Sequence, residues 1–515
     1  MDYIIGIDVG TTSTKALLYD LNGKIYGKSN KGYKLYQTLP DMAEEDPEDI
    51  FNATLQAIQE VIAKANLEDG RVVAISWSAQ QHSLIALDDN FNPLTRTFTW
   101  ADNRPEKYVA EYKQNGKGME MYRRTGLPIH PMGPVYKLLW LKNERADIFN
   151  KTAYWVGIKE YIIWRYTNEL KEEISMAAAT GLLNIKSLKW DDEILREVGI
   201  TKNQLPELVQ PTYKIKGIRP EYAKVMGLDE DVYFVMGATD GALSTIGVGA
   251  IKPGVLAINI GTSAAVRSFS DKPAIDPKGR LYCYPIMEGK YLIGGPINNG
   301  GIIFSWAHDA LFGAEKETAE LLKMDSFDML TEIAKKVPAG SDGLIFHPYL
   351  GGERAPLWDA NARGSFFGLN RSHTRAHMIR SVLEGIVFNL YSVTIALKEF
   401  TGEPKEILAA GGFVQSSLGR QMLADVYEHD VVIPESYESG SLAAMFLAKM
   451  SLGLENKLED ISKYIGSEKR YTPDETVYEK YRKLIPIYIR LSRELSSEYK
   501  SIADYQREFA NTEKE

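Results

Sequence analysis

An apolar run that breaks at a Gly-Thr turn occurs twice in this chain, and that repeat constrains the fold more than any other feature. The first copy is Ile4-Ile5-Gly6-Ile7-Asp8-Val9-Gly10-Thr11-Thr12-Ser13-Thr14-Lys15. The second is Leu256-Ala257-Ile258-Asn259-Ile260-Gly261-Thr262-Ser263-Ala264-Ala265-Val266-Arg267. Each reads as a strand that turns into a second strand around a glycine, with Asp8 aligned to Asn259 and Gly10-Thr11-Thr12 to Gly261-Thr262-Ser263. A turn of this kind suits phosphate. Glycine lets backbone approach a ligand, the Thr and Ser hydroxyls donate to phosphate oxygens, and Lys15 adds a point charge. Asp8, where the apolar strand ends, is placed to hold a divalent cation through water. A single copy is also common hairpin composition. Two copies, one near the start of each half, point to two related domains facing a shared nucleotide cleft.

Composition narrows the partners. A chain of 515 residues, 44% hydrophobic and 25% charged, is too long for one core and suits two domains. Its formal net charge of -9 and pI near 5.6 argue against nucleic acid, whose phosphate backbone needs a basic surface. The one cysteine, Cys283, cannot form an intramolecular disulfide, which fits a reducing compartment. No basic leader precedes the first strand, and no run approaches about 18 uninterrupted apolar residues. The expectation is a cytoplasmic protein acting on small molecules with no membrane span; a homodimer stays open.

The pattern of elements supports an α/β fold. After strands ending at Ile7 and Tyr19, Asn22-Gly23 marks a hairpin turn into a third strand at 25–27. Asp46 and Pro47 then open a helix over 47–64, with Ile50, Phe51, Leu55, Ile58, Val61 and Ile62 at helical spacing. A strand is expected at 72–77, a hairpin at 84–93, and mostly helix over 119–181. The second half repeats the opening, with strands at 255–260, 264–269, 281–287 and 291–294, a long helix over 374–400, a strand at 407–410 and a helix over 416–427. Gly247, Gly249, Pro253 and Gly254 place the domain boundary near 247–254. The tail after Tyr471 reads as helical, with fraying at 513–515.

Two further stretches carry a family resemblance. Met132-Gly133-Pro134-Val135-Tyr136-Lys137-Leu138-Leu139-Trp140-Leu141-Lys142-Asn143-Glu144 resembles the first signature of the FGGY carbohydrate kinases. Gly364-Ser365-Phe366-Phe367-Gly368-Leu369, continued through His377, Ser381 and Glu384, resembles the second. The resemblance runs from Ile4 to about Leu454. It implies two actin-like (ribonuclease H-like) domains around a nucleotide cleft, with residues 1–246 binding sugar and 247–515 binding nucleotide. Within the family, Ser78-Ala79-Gln80-Gln81-His82-Ser83-Leu84, Trp100-Ala101-Asp102-Asn103-Arg104, Gly126-Leu127-Pro128-Ile129-His130-Pro131 and Asn298-Asn299-Gly300-Gly301 are most similar to gluconokinases, with xylulokinases next. Gln81 stands where both groups more often have Met.

The implied chemistry is transfer of the γ-phosphoryl of ATP, with Mg2+, to a hydroxyl of a polyol or sugar acid, a reaction governed by positioning and electrostatics. Asp240, in Gly237-Ala238-Thr239-Asp240-Gly241-Ala242 after the apolar run 233–236, matches the family's catalytic base; read alone, it fits a helix cap equally well. Asp8 is read as the metal-water ligand. Gly10, Thr11, Thr12, Ser13, Lys15, Gly261, Thr262 and Ser263 are the phosphate candidates, with Lys15 also readable as a solvated strand residue. Gly411-Gly412-Phe413-Val414-Gln415-Ser416 resembles the family's adenosine loop, so Gly411, Gly412 and Ser416, with Gly301, complete the nucleotide set. Gln81, His82, Asp102, Arg104, His130 and Asp240 are the substrate candidates, and Trp77 or Trp100 offers a flat face. A lone His is more often a satisfied core residue. Arg104 suits a substrate carboxylate or, equally, Asp102. Glu353-Arg354-Ala355-Pro356 reads as a buried ion pair and Glu438-Ser439-Gly440-Ser441-Leu442-Ala443-Ala444 as a closely packed helix. Ketopentose as acceptor, and a noncatalytic ATP-binding module, are the alternatives. A P-loop is excluded, because Asn22 stands where the glycine leading Gly27-Lys28-Ser29 must fall.

Overall fold

The three parallel strands that matter most to this protein end side by side. In the computed structural model, which describes residues 1–510 apart from 40, 66, 68, 69, 436 and 437, the strand Asp2–Val9 pairs parallel with Arg71–Ala79, which pairs parallel with Tyr233–Thr239. Ser13–Asp20 and Ile25–Gly32 extend this sheet antiparallel on one edge and Lys214–Lys216 on the other, giving six strands. Asp8 is level with Ser78, Val9 with Ala79, Ala238 with Ser78 and Thr239 with Ala79. The Gly10 turn, the Gln80-Gln81-His82 loop and Asp240 therefore leave neighbouring strands at one carboxyl edge, where open α/β sheets bind their ligands.

Burial on both faces explains the apolar strands. Ile5, Ile7, Val9, Ile75, Trp77, Phe234 and Met236 pack with Ile50, Phe51, Ile58 and Val61 from the helix Pro47–Ala65. Each such side chain contributes about 1.5–3 kcal/mol when fully buried. That helix starts as its sequence predicts, with Asp46 Oδ1 accepting from the Glu48 amide at 2.9 Å. Trp77 is wholly buried and stacked on Phe234 and Tyr166, so it is a core residue and offers no face to a ligand. The hairpin expected at 84–93 forms, with Leu87 bridging Pro93 around the turn at 88–92 and Leu94 N donating to Ala86 O, and Ile85–Leu87 pairs in addition with the strand Tyr154–Val156.

The chain forms two compact units, and the division is more than a single cut. Unit 1 comprises Met1–Ile251, Phe269–Leu292 and Glu438–Ile465; unit 2 comprises Lys252–Ser268, Ile293–Tyr437 and Gly466–Glu515. Returning to unit 1, the helix Ser439–Ser451 packs where glycines make room. A Cβ on Gly6 would stand 2.3 Å from the Ser441 carbonyl oxygen, and one on Gly247 would stand 2.0 Å from that of Ser439. The small-residue helix thus packs closely, as its composition suggests.

Unit 2 repeats the arrangement of the first. Val255–Ile260 pairs antiparallel with the following strand, Ile260 opposite Ala264, and parallel with Glu406–Ala410, which lies beside Val431–Pro434 and then Glu468–Tyr471. The helix Arg375–Thr401 is capped by Thr374 and contains an 18-residue window of mean hydropathy 1.3, 78% of it buried. Its length and composition would let it cross a membrane; its burial, and the Arg380–Glu384 ion pair inside it, are those of a core helix. Helices Glu475–Glu494 and Ser496–Ala510 form the tail; the fraying expected at 513–515 lies outside the described residues.

Candidate active site

At the carboxyl edge of unit 1, Asp8 lies between Ser78 and Gly440. Ser78 Oγ donates to its Oδ1 at 2.8 Å, and its Oδ2 lies 3.7 Å from where a Cβ on Gly440 would stand, at the start of the helix Ser439–Ser451. Burial raises the Asp8 carboxyl pKa above the usual range, against the lowering effects of the Ser78 bond and Lys15. Mg2+ characteristically takes one or two carboxylates and completes its shell with water and phosphate. The arrangement around Asp8 fits that demand, since it offers one carboxylate whose Oδ1 is held by Ser78 and whose Oδ2 faces a glycine, Gly440, that brings no side chain against it. Lys15 pairs with Glu438 at 3.6 Å, and Lys28 pairs with the same carboxylate.

The phosphate-type turn of unit 1 is braced from behind. The Gly10 amide donates to Ser13 O at 3.0 Å, and the Tyr33 hydroxyl donates to Gly10 O. Thr11 Oγ1 donates to Gln80 Oε1 at 3.1 Å and accepts from Trp100 Nε1 at 2.9 Å, while Gln80 Nε2 donates to Glu45 Oε2 at 2.7 Å. The Thr11 hydroxyl is therefore engaged by protein partners, and Trp100 is tied to it through its indole N–H. Thr12 is exposed at the tip.

Burial pushes Glu45 up to about 8. Nothing local in the sequence singles out Glu45, because its partner Gln80 is 35 residues away.

A second network carries the substrate candidates. Asp102 is fully buried and accepts from the Ala43 amide at 3.0 Å and from Arg104 through both oxygens; Arg104 also reaches Glu44 at 2.5 Å and lies over the rings of Phe98 and Trp140. The pairing of Arg104 with Asp102 is thus realised.

Lys137 from the helix Pro134–Glu144 is wholly buried, and its Nζ donates to the carbonyls of His82 at 2.6 Å and Thr99 at 2.7 Å. Burial lowers it to about 7. A lysine inside the apolar run 134–141 was a signal that its ammonium is caged.

His82 takes a left-handed backbone, φ 68°, and its Nδ1 is 2.7 Å from Ala179 O; a carbonyl only accepts, so this nitrogen carries the proton. Gln81 Nε2 is buried with no partner. His130 Nδ1 accepts from the Met132 amide at 3.1 Å in the turn that leads into Pro134.

Asp240 begins the helix Asp240–Gly247 and is exposed. The helix cap is Thr239, whose Oγ1 accepts from the Ala242 amide at 3.3 Å, so Asp240 is not itself the cap; its Oδ1 accepts from the Gly241 amide at 2.7 Å. The register of Tyr233–Thr239 shifts between Val235 and Ala238, around Gly237 at φ 66°. A Cβ there would lie 1.8 Å from Trp77 O. Only glycine permits this bulge, which re-aims the strand end bearing Asp240.

In unit 2, three glycine segments converge. The Gly261 amide donates to Ser263 O at 3.0 Å, so this turn is one residue tighter than its counterpart at Gly10. The Gly301 and Ile302 amides, opening the helix Gly301–Ala310, donate to the carbonyls of Gly261 at 2.7 Å and Thr262 at 3.1 Å. Gly411, at φ 103°, lies against Ile260, where a Cβ would stand 2.3 Å from its carbonyl oxygen, and Gly412 faces open space. Ser416 Oγ caps the helix Ser417–Tyr427 by accepting from Gly419 N at 3.0 Å. Glu353, expected in an ion pair, is held by amides instead: Asn298 N at 2.6 Å, Asn299 Nδ2 at 2.8 Å, Asn389 Nδ2 at 2.6 Å and Arg354 N at 2.8 Å. Arg354 directs its guanidinium to Ile297 O.

Residues 3–247 match the N-terminal domain of the FGGY family of carbohydrate kinases, and residues 256–452 match its C-terminal domain. The chain belongs to this family. The kinase is 48% identical over 506 residues to a gluconokinase of Bacillus subtilis, covering 98% of each chain, and 29% identical over 493 residues to a xylulose kinase of the same organism, covering 95% of this chain and 96% of that one. Among solved structures, a gluconate kinase of Lactobacillus acidophilus superposes with a TM-score of 0.93 at 47% identity, covering 97% of this chain and 99% of that one. A ligand-bound xylulose kinase of Lactobacillus acidophilus gives 0.93 at 46% identity, covering 98% and 100%. The two-domain FGGY fold gives the kinase signature lysine, Lys137, and the signature glutamate, Glu384, comparable tasks. Glu384 accepts from Gly340 N at 2.9 Å, Ser341 Oγ at 2.8 Å, Arg380 Nε at 2.8 Å and Tyr481 Oη at 2.9 Å, so it fixes a loop as Lys137 fixes two.

Proposed function

We propose that this carbohydrate kinase transfers the γ-phosphoryl group of ATP to the terminal hydroxyl of D-gluconate, giving 6-phospho-D-gluconate, in the cytoplasm. The observation that carries the reading is the row of strand ends in unit 1, where the Gly10 turn, the Gln81-His82 loop and Asp240 share one edge in fixed register. The choice of gluconate rests on 48% identity to a gluconokinase against 29% to a xylulose kinase. Xylulose is the second reading, supported by a xylulose kinase structure 46% identical to this chain.

Asp240 is the group that takes the proton of the attacking hydroxyl. It is exposed, a base so placed contributes ~10²–10⁴-fold, and its orientation is set by the Gly241 amide and by the bulge at Gly237. His82, with Nδ1 fixed as donor to Ala179 O, presents a ring of defined tautomer to the polyol. Gln81 Nε2 is a buried donor in need of an acceptor, which a sugar-acid oxygen supplies. Asp102 and Arg104 act as a preassembled pair that shapes the loop, with the guanidinium as the cation offered to a substrate carboxylate. His130 fixes the turn into the signature helix, and its ring is the remaining proposed contact to the substrate.

Gly10, Thr11, Thr12, Ser13 and Lys15 in unit 1, and Gly261, Thr262, Ser263, Gly301, Gly411, Gly412 and Ser416 in unit 2, are the nucleotide-binding set. Lys15 exchanges Glu438 for phosphate, and the open backbone at Gly412 receives the flat base. Asp8 would hold Mg2+ through water, and the ion when bound neutralises phosphate charge.

Coupled ADP-release assays on gluconate, xylulose, glycerol and ribulose test the assignment. Highest kcat/KM on gluconate is expected; turnover on xylulose with none on gluconate would sink it.

A further inference from the structure

The helix Ile174–Thr180 joins two groups assigned to the reaction, and a buried ion pair stands at its start. Lys159 and Glu173 both have side chains with no exposure, and Lys159 Nζ donates to Glu173 Oε1 at 2.8 Å. Glu173 caps the helix, its Oε2 accepting from Ser175 N at 2.7 Å and its Oε1 from Met176 N at 3.0 Å. Ser175 Oγ also donates to Glu173 Oε1, at 2.8 Å. With its proton committed there, the Ser175 oxygen accepts from the Thr239 amide at 3.1 Å, the amide of the residue that precedes Asp240. At the helix's other end, Ala179 O accepts from the His82 ring at 2.7 Å.

A buried ion pair is weak support for stability, because the cost of removing two charges from water rivals their attraction. Its best attested use is to fix one arrangement among several. Here it fixes a hydroxyl. Without Glu173, the Ser175 proton is free to rotate toward Thr239 N, where donor would face donor. Between Ser175 and Ala179 the helix rises about 6 Å, at about 1.5 Å per residue. A short rigid element therefore holds the Thr239-Asp240 turn at one end and His82 at the other.

We propose that Ser175, oriented by the buried Lys159–Glu173 pair, is a positioning residue for Asp240, and that the helix Ile174–Thr180 sets the separation between the Asp240 turn and the His82 ring. This rests on the reading of Asp240 as the base. Ser175→Ala removes one hydrogen bond to the turn and replaces no group that touches substrate. It lowers kcat on gluconate about tenfold, which is about 1.4 kcal/mol, while KM for gluconate stays close to wild type and the thermal midpoint falls modestly, because the buried Thr239 amide loses its acceptor. Ser175→Cys, with a weaker acceptor of similar size, gives an intermediate kcat. In an Asp240→Asn background, Ser175→Ala costs nothing further, because the turn no longer carries a base. Wild-type kcat in Ser175→Ala while Asp240→Asn is inactive would overturn the inference, as would a full additional loss in the double variant or a rise in KM with kcat unchanged. Near-normal turnover by Asp240→Asn alone would instead remove the base assignment.

Discussion

Arg104 meets Asp102 fork to carboxylate, with Nε 3.0 and 3.1 Å from the two oxygens and a terminal nitrogen 2.7 Å from Oδ2. Asp102 is wholly buried, and Arg104 is the cation that pairs with it. Lysine cannot reproduce the planar fork or the stacking over Phe98 and Trp140. Arg104→Lys is expected to cost about 2–4 kcal/mol in urea unfolding and to raise KM for gluconate. Unchanged stability would mean that the pair is not what secures Asp102.

Lys137 ties the His82 and Thr99 carbonyls together from inside the protein. Lys137→Met keeps most of the volume and removes both donors, leaving two carbonyls short of partners at about 1–3 kcal/mol each. The loops move against each other, so KM for gluconate rises at least tenfold while KM for ATP stays near wild type. Equal rises in both constants would argue for a general loss of packing.

How much of this was legible depends on where the partner lies in sequence. The helix Pro47–Ala65 was readable because its cap, its first-turn proline and its apolar spacing are all local. The doubled Gly-Thr turn was readable because it repeats. Trp77 misled, since a strand buried on both faces leaves no alternation to mark a core aromatic. Glu45, Ser175 and the return of Phe269–Leu292 and Glu438–Ile465 to unit 1 could not be read at all. Glu45 reaches Gln80 across 35 residues and Ser175 reaches Thr239 across 64, and no local pattern encodes pairings at that range.

Glu45 gives stability a pH dependence with a definite sign. Burial holds its carboxyl at about 8 against an ordinary 4.5, so between these values the folded chain keeps a proton that the unfolded chain has released. Rising pH then favours unfolding: the contribution is full below 4.5 and is lost as pH climbs through about 8. Glu45→Gln has no proton to lose and can still accept from Gln80. The variant's thermal midpoint should gain on wild type from about pH 5 to about pH 9, and a gap constant across that range would refute the assignment.

Gly247 ends the helix Asp240–Gly247 against Ser439, where a Cβ would stand 2.0 Å from a carbonyl oxygen. Both partners are backbone and cannot rotate away. Gly247→Ala should cost about 3 kcal/mol or more by displacing the helix Ser439–Ser451. Gly313→Ala, with nothing within 4 Å at the start of its helix, should be neutral or slightly stabilising in the same denaturation assay.

Gly411 and Gly412 are adjacent but answer to different constraints. Gly411 has φ 103° and no room for a Cβ beside Ile260, so Gly411→Ala should destabilise the protein whatever the loop binds. Gly412 has no atom within 4 Å of the Cβ position, and alanine there leaves the fold untouched. A nucleotide base lying flat on this backbone would meet the new methyl group directly. Gly412→Ala should therefore keep the wild-type thermal midpoint and KM for gluconate while raising KM for ATP several-fold, at about 1 kcal/mol for a methyl placed in a close contact. An unaltered KM for ATP in a stable Gly412→Ala variant would place the adenosine elsewhere.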